Sequence, residues 1–153
     1  GEDSLLLAAA GFTVIMYERD PVIASLLRDT LIRAAVDPRL SGIVCRMEMR
    51  EEDSIEAMNR MKTETDSFRP DVVLLDPMFP ERQKSGLVKK KFQLLHYLER
   101  PCADEEELLQ AALEVRPRRI VIKRPAKGPY LAGVKPSYSL RGKTVRYDCV
   151  ALS

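Results

Sequence analysis

The chain has 153 residues, 25 Lys or Arg against 23 Asp or Glu and a formal net charge of +2; its 45% apolar and 31% charged shares are those of an ordinary globular protein. That length predicts one domain, residues 1–153, with room for a real core. No run approaches the roughly 20 apolar residues that a membrane helix needs. The apolar run Leu5 to Ala10 follows two acids, the wrong flank for a targeting segment.

Taken in order, Gly1-Glu2-Asp3-Ser4 leads straight into a helical run with Leu5, Leu6, Ala9 and Ala10, closed by Gly11. Phe12-Thr13-Val14-Ile15-Met16-Tyr17 reads as a strand ending in Glu18-Arg19-Asp20-Pro21. An acid at such a strand end accepts ribose hydroxyls in nucleoside-binding α/β folds, and the two oxygens of Glu18 suit both hydroxyls. Arg19 would lie beside such a nucleoside. Asp20 then caps a helix with Pro21 at its first position. Ile23, Leu26, Leu27, Leu31 and Ala34 form that helix's core stripe.

Asp37-Pro38 breaks the helix, and Gly42-Ile43-Val44-Cys45-Arg46-Met47 reads as the next strand. Asp53-Ser54 opens a further helix carrying Ile55, Met58 and Met61, with Asp and Ser as natural caps. Val72-Val73-Leu74-Leu75 is an apolar run suited to a strand buried on both faces of a parallel sheet. Pro77 and Pro80 stop it, since they lack the N–H that a ladder needs. Val88 to Leu98 is helical, with Phe92, Leu95 and Leu98 on one face and His96, read as structural, between apolar residues. A helix starting near the acids of Ala103-Asp104-Glu105-Glu106-Glu107 buries Leu108, Leu109, Ala112 and Leu113. Arg118 to Pro125 is a strand with a basic end, Tyr130 falls in a Gly/Pro-rich loop, and Val134–Leu140 with Thr144–Leu152 makes a hairpin around Arg141-Gly142-Lys143.

Charge is distributed unevenly: residues 1–75 hold 9 basic and 14 acidic side chains, residues 76–153 hold 16 and 9. The second half therefore suits a polyanion. Cys45, Cys102 and Cys149 lack metal-ligand spacing and cannot all pair; Cys45 and Cys149, in apolar strand patterns, read as small buried hydrophobes of a reducing, cytoplasmic setting.

Asp76 is the centre of the functional reading. It stands at the carboxyl end of a core strand, where open α/β sheets bind ligands. Its carboxylate and the Pro77 carbonyl can both accept hydrogen bonds from an exocyclic amine, and Phe79 can stack on the base that carries it. Asp76-Pro77-Met78-Phe79-Pro80 resembles the acidic-or-Asn, Pro, X, aromatic signature of amino-group methyltransferases that use S-adenosylmethionine. With the continuation Gln83-Lys84-Ser85-Gly86-Leu87-Val88-Lys89-Lys90 it is similar to the RsmJ family, which methylates the 2-amino group of a guanine in 16S rRNA.

The resemblance covers the whole chain and implies a class I, Rossmann-like α/β sheet, mostly parallel with a C-terminal antiparallel hairpin. In that family the cofactor turn reads Asp-Ala-Thr-Ala-Gly-Leu-Gly, and Gly1 looks like its last glycine. The resemblance thus implies a fragment whose first strand and most of whose glycine-rich loop are missing. It makes Gly1, Glu2, Asp3, Glu18, Arg19, Asp53, Ser54 and Asp76 cofactor contacts, with Asp53 standing where the family has Ser. Asp76, Pro77 and Phe79 become the catalytic group, and Lys84, Lys89, Lys90, Lys123 and Arg124 the RNA contacts. The implied cofactor is S-adenosyl-L-methionine and the implied partner 16S rRNA or the small ribosomal subunit, with no membrane or metal involved. The rival expectations are amino methylation of DNA adenine or protein glutamine, whose families favour Asn-Pro-Pro-Tyr, and a non-catalytic nucleotide- or RNA-binding module.

Overall fold

The structure is a computed structural model that describes residues 1–63, 69–77 and 104–152. The expected helix at 88–98 lies outside the described residues, as do Phe79, Lys84, Lys89, Lys90, His96 and Cys102. The chain divides into two compact units, Gly1–Ala57 and Met58–Ser153.

In the first unit, α1 (Glu2–Ala9) begins with two acids in its first turn, where the helix dipole favours them. It ends at Gly11, whose φ of +100° only glycine adopts freely. The Arg46 Nε donates to the Ala8 carbonyl at 3.0 Å, meeting one of the helix's orphan acceptors. Strand β1 (Val14–Glu18) pairs in parallel with β2 (Met47–Glu51), from Val14 opposite Met47 to Glu18 opposite Glu51. Between them runs α2 (Pro21–Ala35), opened by Asp20, whose Oδ1 accepts from the Val22 and Ile23 amides at 2.9 and 3.1 Å.

Three expectations in this unit need correcting. The run Gly42–Met47 is not a strand: Ser41–Val44 forms the short helix α3, and pairing starts only at Met47. A four-residue apolar run is consistent with either a strand or a buried helical turn. Here the turn wins, because Ile43 and Val44 donate to the Leu40 carbonyl and bury Val44. Cys45 is consequently exposed at the end of α3, and only Cys149 is a buried thiol among the described residues. Leu26 is 53% exposed: the inward stripe of α2 is Ile23, Leu27, Leu31 and Ala34, and Leu26 sits one residue, or 100°, off it.

Helix α4 (Ser54–Thr63) leads from the first unit into the second. There β3 (Val72–Leu75) pairs in parallel with β4 (Arg119–Pro125), from Val72 opposite Arg119 to Leu75 opposite Ile122. β4 pairs antiparallel with β6 (Val145–Ala151), and β6 with β5 (Tyr138–Arg141), so the sheet order is β3-β4-β6-β5. The expected C-terminal antiparallel hairpin is therefore present. Strand β3 is less enclosed than its composition suggests: among the described residues only β4 flanks it, Val72 is 45% exposed and Leu75 alone is buried.

Helix α5 (Glu105–Glu114) buries Leu108, Leu109, Ala111 and Ala112, and it packs on a one-turn 3₁₀ helix, Leu131–Gly133. Ile120 and Ile122 supply the buried face of β4. In the β5–β6 turn, a Cβ on Gly142 would lie 3.0 Å from the Val145 carbonyl oxygen, which accepts the Gly142 amide at 2.8 Å. A side chain there would push the turn apart.

Replacing Asp20 by Ala removes the only side-chain acceptor shown for the first amides of α2. Urea denaturation should show a loss of about 1 kcal/mol, and Asp20→Asn should recover most of it.

Candidate active site

The β1 and β2 carboxyl ends lie side by side, extended by a hydrogen bond from the Glu52 amide to the Glu18 carbonyl at 3.0 Å. Two of the sequence-predicted cofactor residues meet there. Arg19 NH1 lies 3.2 Å from Asp53 Oδ2, while Asp53 Oδ1 accepts the Ile55 amide at 2.8 Å. Asp53 thus caps α4, as expected, with one oxygen and fixes Arg19 with the other. Ser54 is the first residue of that helix.

Glu18 is half-buried, and its Oε1 accepts the Asp20 amide at 2.8 Å. One carboxylate oxygen is thereby oriented by the backbone, and Oε2 is the oxygen best placed to define a ribose contact. Gly1, Glu2 and Asp3 open α1, which packs against β1 and β2. Gly1 lies near α2: an added Cβ would come within 3.1 Å of Leu27. Glu18, Arg19, Asp53 and Ser54 are therefore collected at the carboxyl ends of β1 and β2. A part-buried carboxylate, a fixed guanidinium and a helix start suit the ribose and amino-acid groups of a nucleoside-type cofactor.

In the second unit Asp76 directly follows β3, as its sequence requires, and Pro77 is buried. The register that sets Leu75 against Ile122 sets Asp76 against Lys123, and Lys123 Nζ donates to Asp76 Oδ2 at 3.0 Å. The carboxylate remains half-exposed, at 54%, so this pair contributes at most about 1 kcal/mol and leaves Asp76 open to a substrate. Lys123 is thus a partner of the central carboxylate.

Arg124 requires a correction. It is 2% exposed; its Nε donates to the Pro129 carbonyl at 2.8 Å and its NH1 lies 3.3 Å from Glu105 Oε1. A guanidinium so enclosed does not reach a phosphate. Alternation along the strand explains it: Lys123 and Arg124 point to opposite faces, and Arg124 falls on the face covered by α5.

Sequence reasoning overlooked Arg146 and Asp148, 4% and 2% exposed, which pair through Arg146 Nε at 2.9 and 3.0 Å from the two carboxylate oxygens. The Arg146 guanidinium also donates to the carbonyls of Ala126, Gly128 and Pro129, and lies 4.9 Å from the centre of the Tyr130 ring. Burial pushes the Asp148 carboxyl up, but hydrogen bonds from Arg146 and Ser139, with the charges of Arg146 and Arg124, outweigh it and hold the pKa below the usual value. The available signal was the pattern Arg146-Tyr147-Asp148 in an otherwise apolar strand, which puts opposite charges on one face.

These strand-end carboxylates belong to a recognisable class. The family described as "Putative SAM-dependent methyltransferase" matches residues 1–151, and the chain belongs to that family. The chain is 46% identical over 148 residues to Ribosomal RNA small subunit methyltransferase J of Stutzerimonas stutzeri, covering 97% of this chain and 56% of that protein. The protein of the same name from Dechloromonas aromatica is 43% identical over 148 residues, 97% of this chain and 59% of its own. The chain thus spans little more than half the length of these curated relatives. A solved structure, the SAM-dependent methyltransferase NGO1261 from Neisseria gonorrhoeae, superposes with a TM-score of 0.77 at 33% identity, covering 99% of this chain and 60% of that one. The α/β fold expected from the sequence is that of this family. Among the described residues, no cluster of three or more His, Cys, Asp or Glu could hold a metal ion and no helix is long and apolar enough to cross a membrane.

The sign of the Asp148 shift gives an expected pH dependence. Its folded pKa is depressed, so its stabilisation is present above the unfolded value of 3.8 and fades as pH falls below that. Asp148→Asn leaves a buried guanidinium without its counter-charge and should cost about 3–5 kcal/mol in urea denaturation at pH 7. The gap from the unaltered protein should narrow clearly at pH 3.

Proposed function

We propose that the protein transfers the methyl group of S-adenosyl-L-methionine to the exocyclic N2 of a guanine in 16S rRNA, with residues 1–153 acting as a methyltransferase domain. The observation that carries this reading is the half-exposed carboxylate of Asp76 at the end of β3, followed directly by buried Pro77 and braced by Lys123. The family membership and the printed names of the relatives support it.

The chemistry asks little of the protein beyond placement. The 2-amino lone pair of guanine is delocalised into the ring, so the nitrogen is a poor nucleophile. Hydrogen bonds from the amine to Asp76 and to the Pro77 carbonyl would pyramidalise it and aim its lone pair. The amine nitrogen bonds to the methyl carbon as the methyl–sulfur bond breaks, and the nitrogen loses one proton to Asp76 or water. When bound, the cofactor supplies an activated methyl on a sulfonium, whose loss of charge drives the transfer. Lys123 holds Asp76 in one orientation.

In this reading Glu18 accepts a ribose hydroxyl of the cofactor, Arg19 and Asp53 flank the adenosine, and Gly1, Glu2, Asp3 and Ser54 line the rest of the cofactor rim. Phe79 stacks on the target base, which must leave its helix to be reached. Lys84, Lys89 and Lys90 meet RNA phosphates. These last four assignments rest on the motif alone. The setting is the cytoplasm, where the rRNA or its small subunit is available.

Two variants in the intact protein test the division of labour. Asp76→Ala should lower kcat on small-subunit rRNA by at least about a thousandfold, while calorimetric affinity for S-adenosylmethionine stays within severalfold. Glu18→Ala should weaken cofactor binding by at least about tenfold, the cost of a lost charge-assisted hydrogen bond. Mass spectrometry of digested product should show N2-methylguanosine. Wild-type turnover by the Asp76 variant, or a methyl group on DNA adenine or protein glutamine alone, refutes the assignment.

A further inference from the structure

Residues 115–152 contain ten Lys or Arg and one acid, Asp148. Because Asp148 is buried and paired, the exposed side chains of this stretch carry positive charge only. The register divides those cations. Arg116, Arg118 and Arg119 lie at the amino end of β4, where Arg118 pairs with Asp71 and Arg119 lies over the Tyr138 ring. Lys127, Arg141 and Lys143 lie at the other end, which is the Asp76 end.

Pairing puts Arg141 opposite Arg146 and Arg146 opposite Arg124, a row one residue beyond Asp76 and Lys123 and on the other face of the sheet, so a nucleic-acid backbone reaching it from Asp76 passes over the strand ends. Lys143 follows in the β5–β6 turn. Lys127 stands beside that turn, since the Ala126 amide donates to the Thr144 carbonyl at 2.9 Å. All three are exposed, and none makes an ion pair among the described residues.

We infer that Lys127, Arg141 and Lys143 form a track for RNA phosphates leading away from Asp76 along the ends of β4, β6 and β5. The inference rests on the rRNA methyltransferase reading and adds where the nucleotides beside the target run. From β3 to β5 is three strand spacings, about 14 Å, the span of a short run of nucleotides. The track is held before RNA arrives. Arg146 fixes the carbonyls on both sides of Lys127, those of Ala126 and Gly128, and Arg124 and Arg146 share that of Pro129. Little loop ordering is then needed on binding. The three contacts are to backbone, so they give affinity and register without sequence preference.

The test uses the intact protein, deproteinised 16S rRNA and the triple variant Lys127→Ala, Arg141→Ala, Lys143→Ala. Neutralising three phosphate contacts should flatten the slope of log K against log salt by about 2 and weaken RNA binding at least about tenfold near 0.1 M salt. The rRNA KM should rise with it, while kcat at saturating RNA and cofactor affinity hold. The charge-preserving variant Lys127→Arg, Arg141→Lys, Lys143→Arg should keep the wild-type slope. An unchanged slope and KM in the alanine variant, or an equal loss in Arg116→Ala, Arg119→Ala, overturns the track while leaving the methyltransferase reading intact. RNA binding that loses its slope in the alanine variant, by a protein that methylates no RNA, sinks that reading and keeps the track.

Discussion

Burying a guanidinium costs several kcal/mol unless its donors and its charge are met, and the second unit buries two within one row of its sheet. Arg124 and Arg146 stand opposite each other in the β4–β6 ladder, with Glu105 and Asp148 as counter-charges and the carbonyls of residues 126, 128 and 129 as acceptors. This fixes the backbone that leaves β4, ties α5 to it through Glu105, and anchors the β5–β6 hairpin through Ser139 on Asp148 at 2.6 Å. The carbonyls of a surface loop are usually satisfied by water; here they are the price of keeping two arginines inside. The result is a strand end whose geometry is set by the protein's own buried charges.

The first unit meets the same requirement by a different route. It builds its rim from helix starts rather than buried charges: Asp20 opens α2 and Asp53 opens α4, each on a backbone segment leaving a parallel strand. Capping makes the acids do two jobs. Asp20 presents its amide to Glu18, and Asp53 presents its second oxygen to Arg19. The charge along the sequence is divided as well, with 14 acids against 9 bases in residues 1–75 and 9 against 16 in residues 76–153.

How far the sequence could be read follows from how local each signal was. Asp20-Pro21 is a cap that the next three residues decide, and it sits where expected. Asp76 was legible because a four-residue apolar run stopped by proline has one carboxyl end. The strand expected at Gly42–Met47 failed because Ile43, Val44 and Cys45 satisfy a helical turn as well as a ladder, while the true strand, Met47-Glu48-Met49-Arg50-Glu51, is charged and owes its existence to β1 beside it. Leu26 and Arg124 failed by one residue of phase each. Phase is fixed by what packs on a face, and a single chain of letters does not show that.

Arg146 and Asp148 mark the deeper limit. Each would pass as an exposed charge on a hairpin, and only the partner strand reveals that both share the buried face of Ile122 and Arg124. A buried ion pair adds little net stability over an apolar pair of similar volume, so stability alone does not explain it. What an apolar pair could not do is accept the strand's geometry and also hold three loop carbonyls. The pair is therefore better understood as a device that specifies the path of residues 126–130, and with it the place of Lys127 beside the Asp76 rim. The residues that fix this strand end are buried and charged, and only their partners across the sheet show them for what they are.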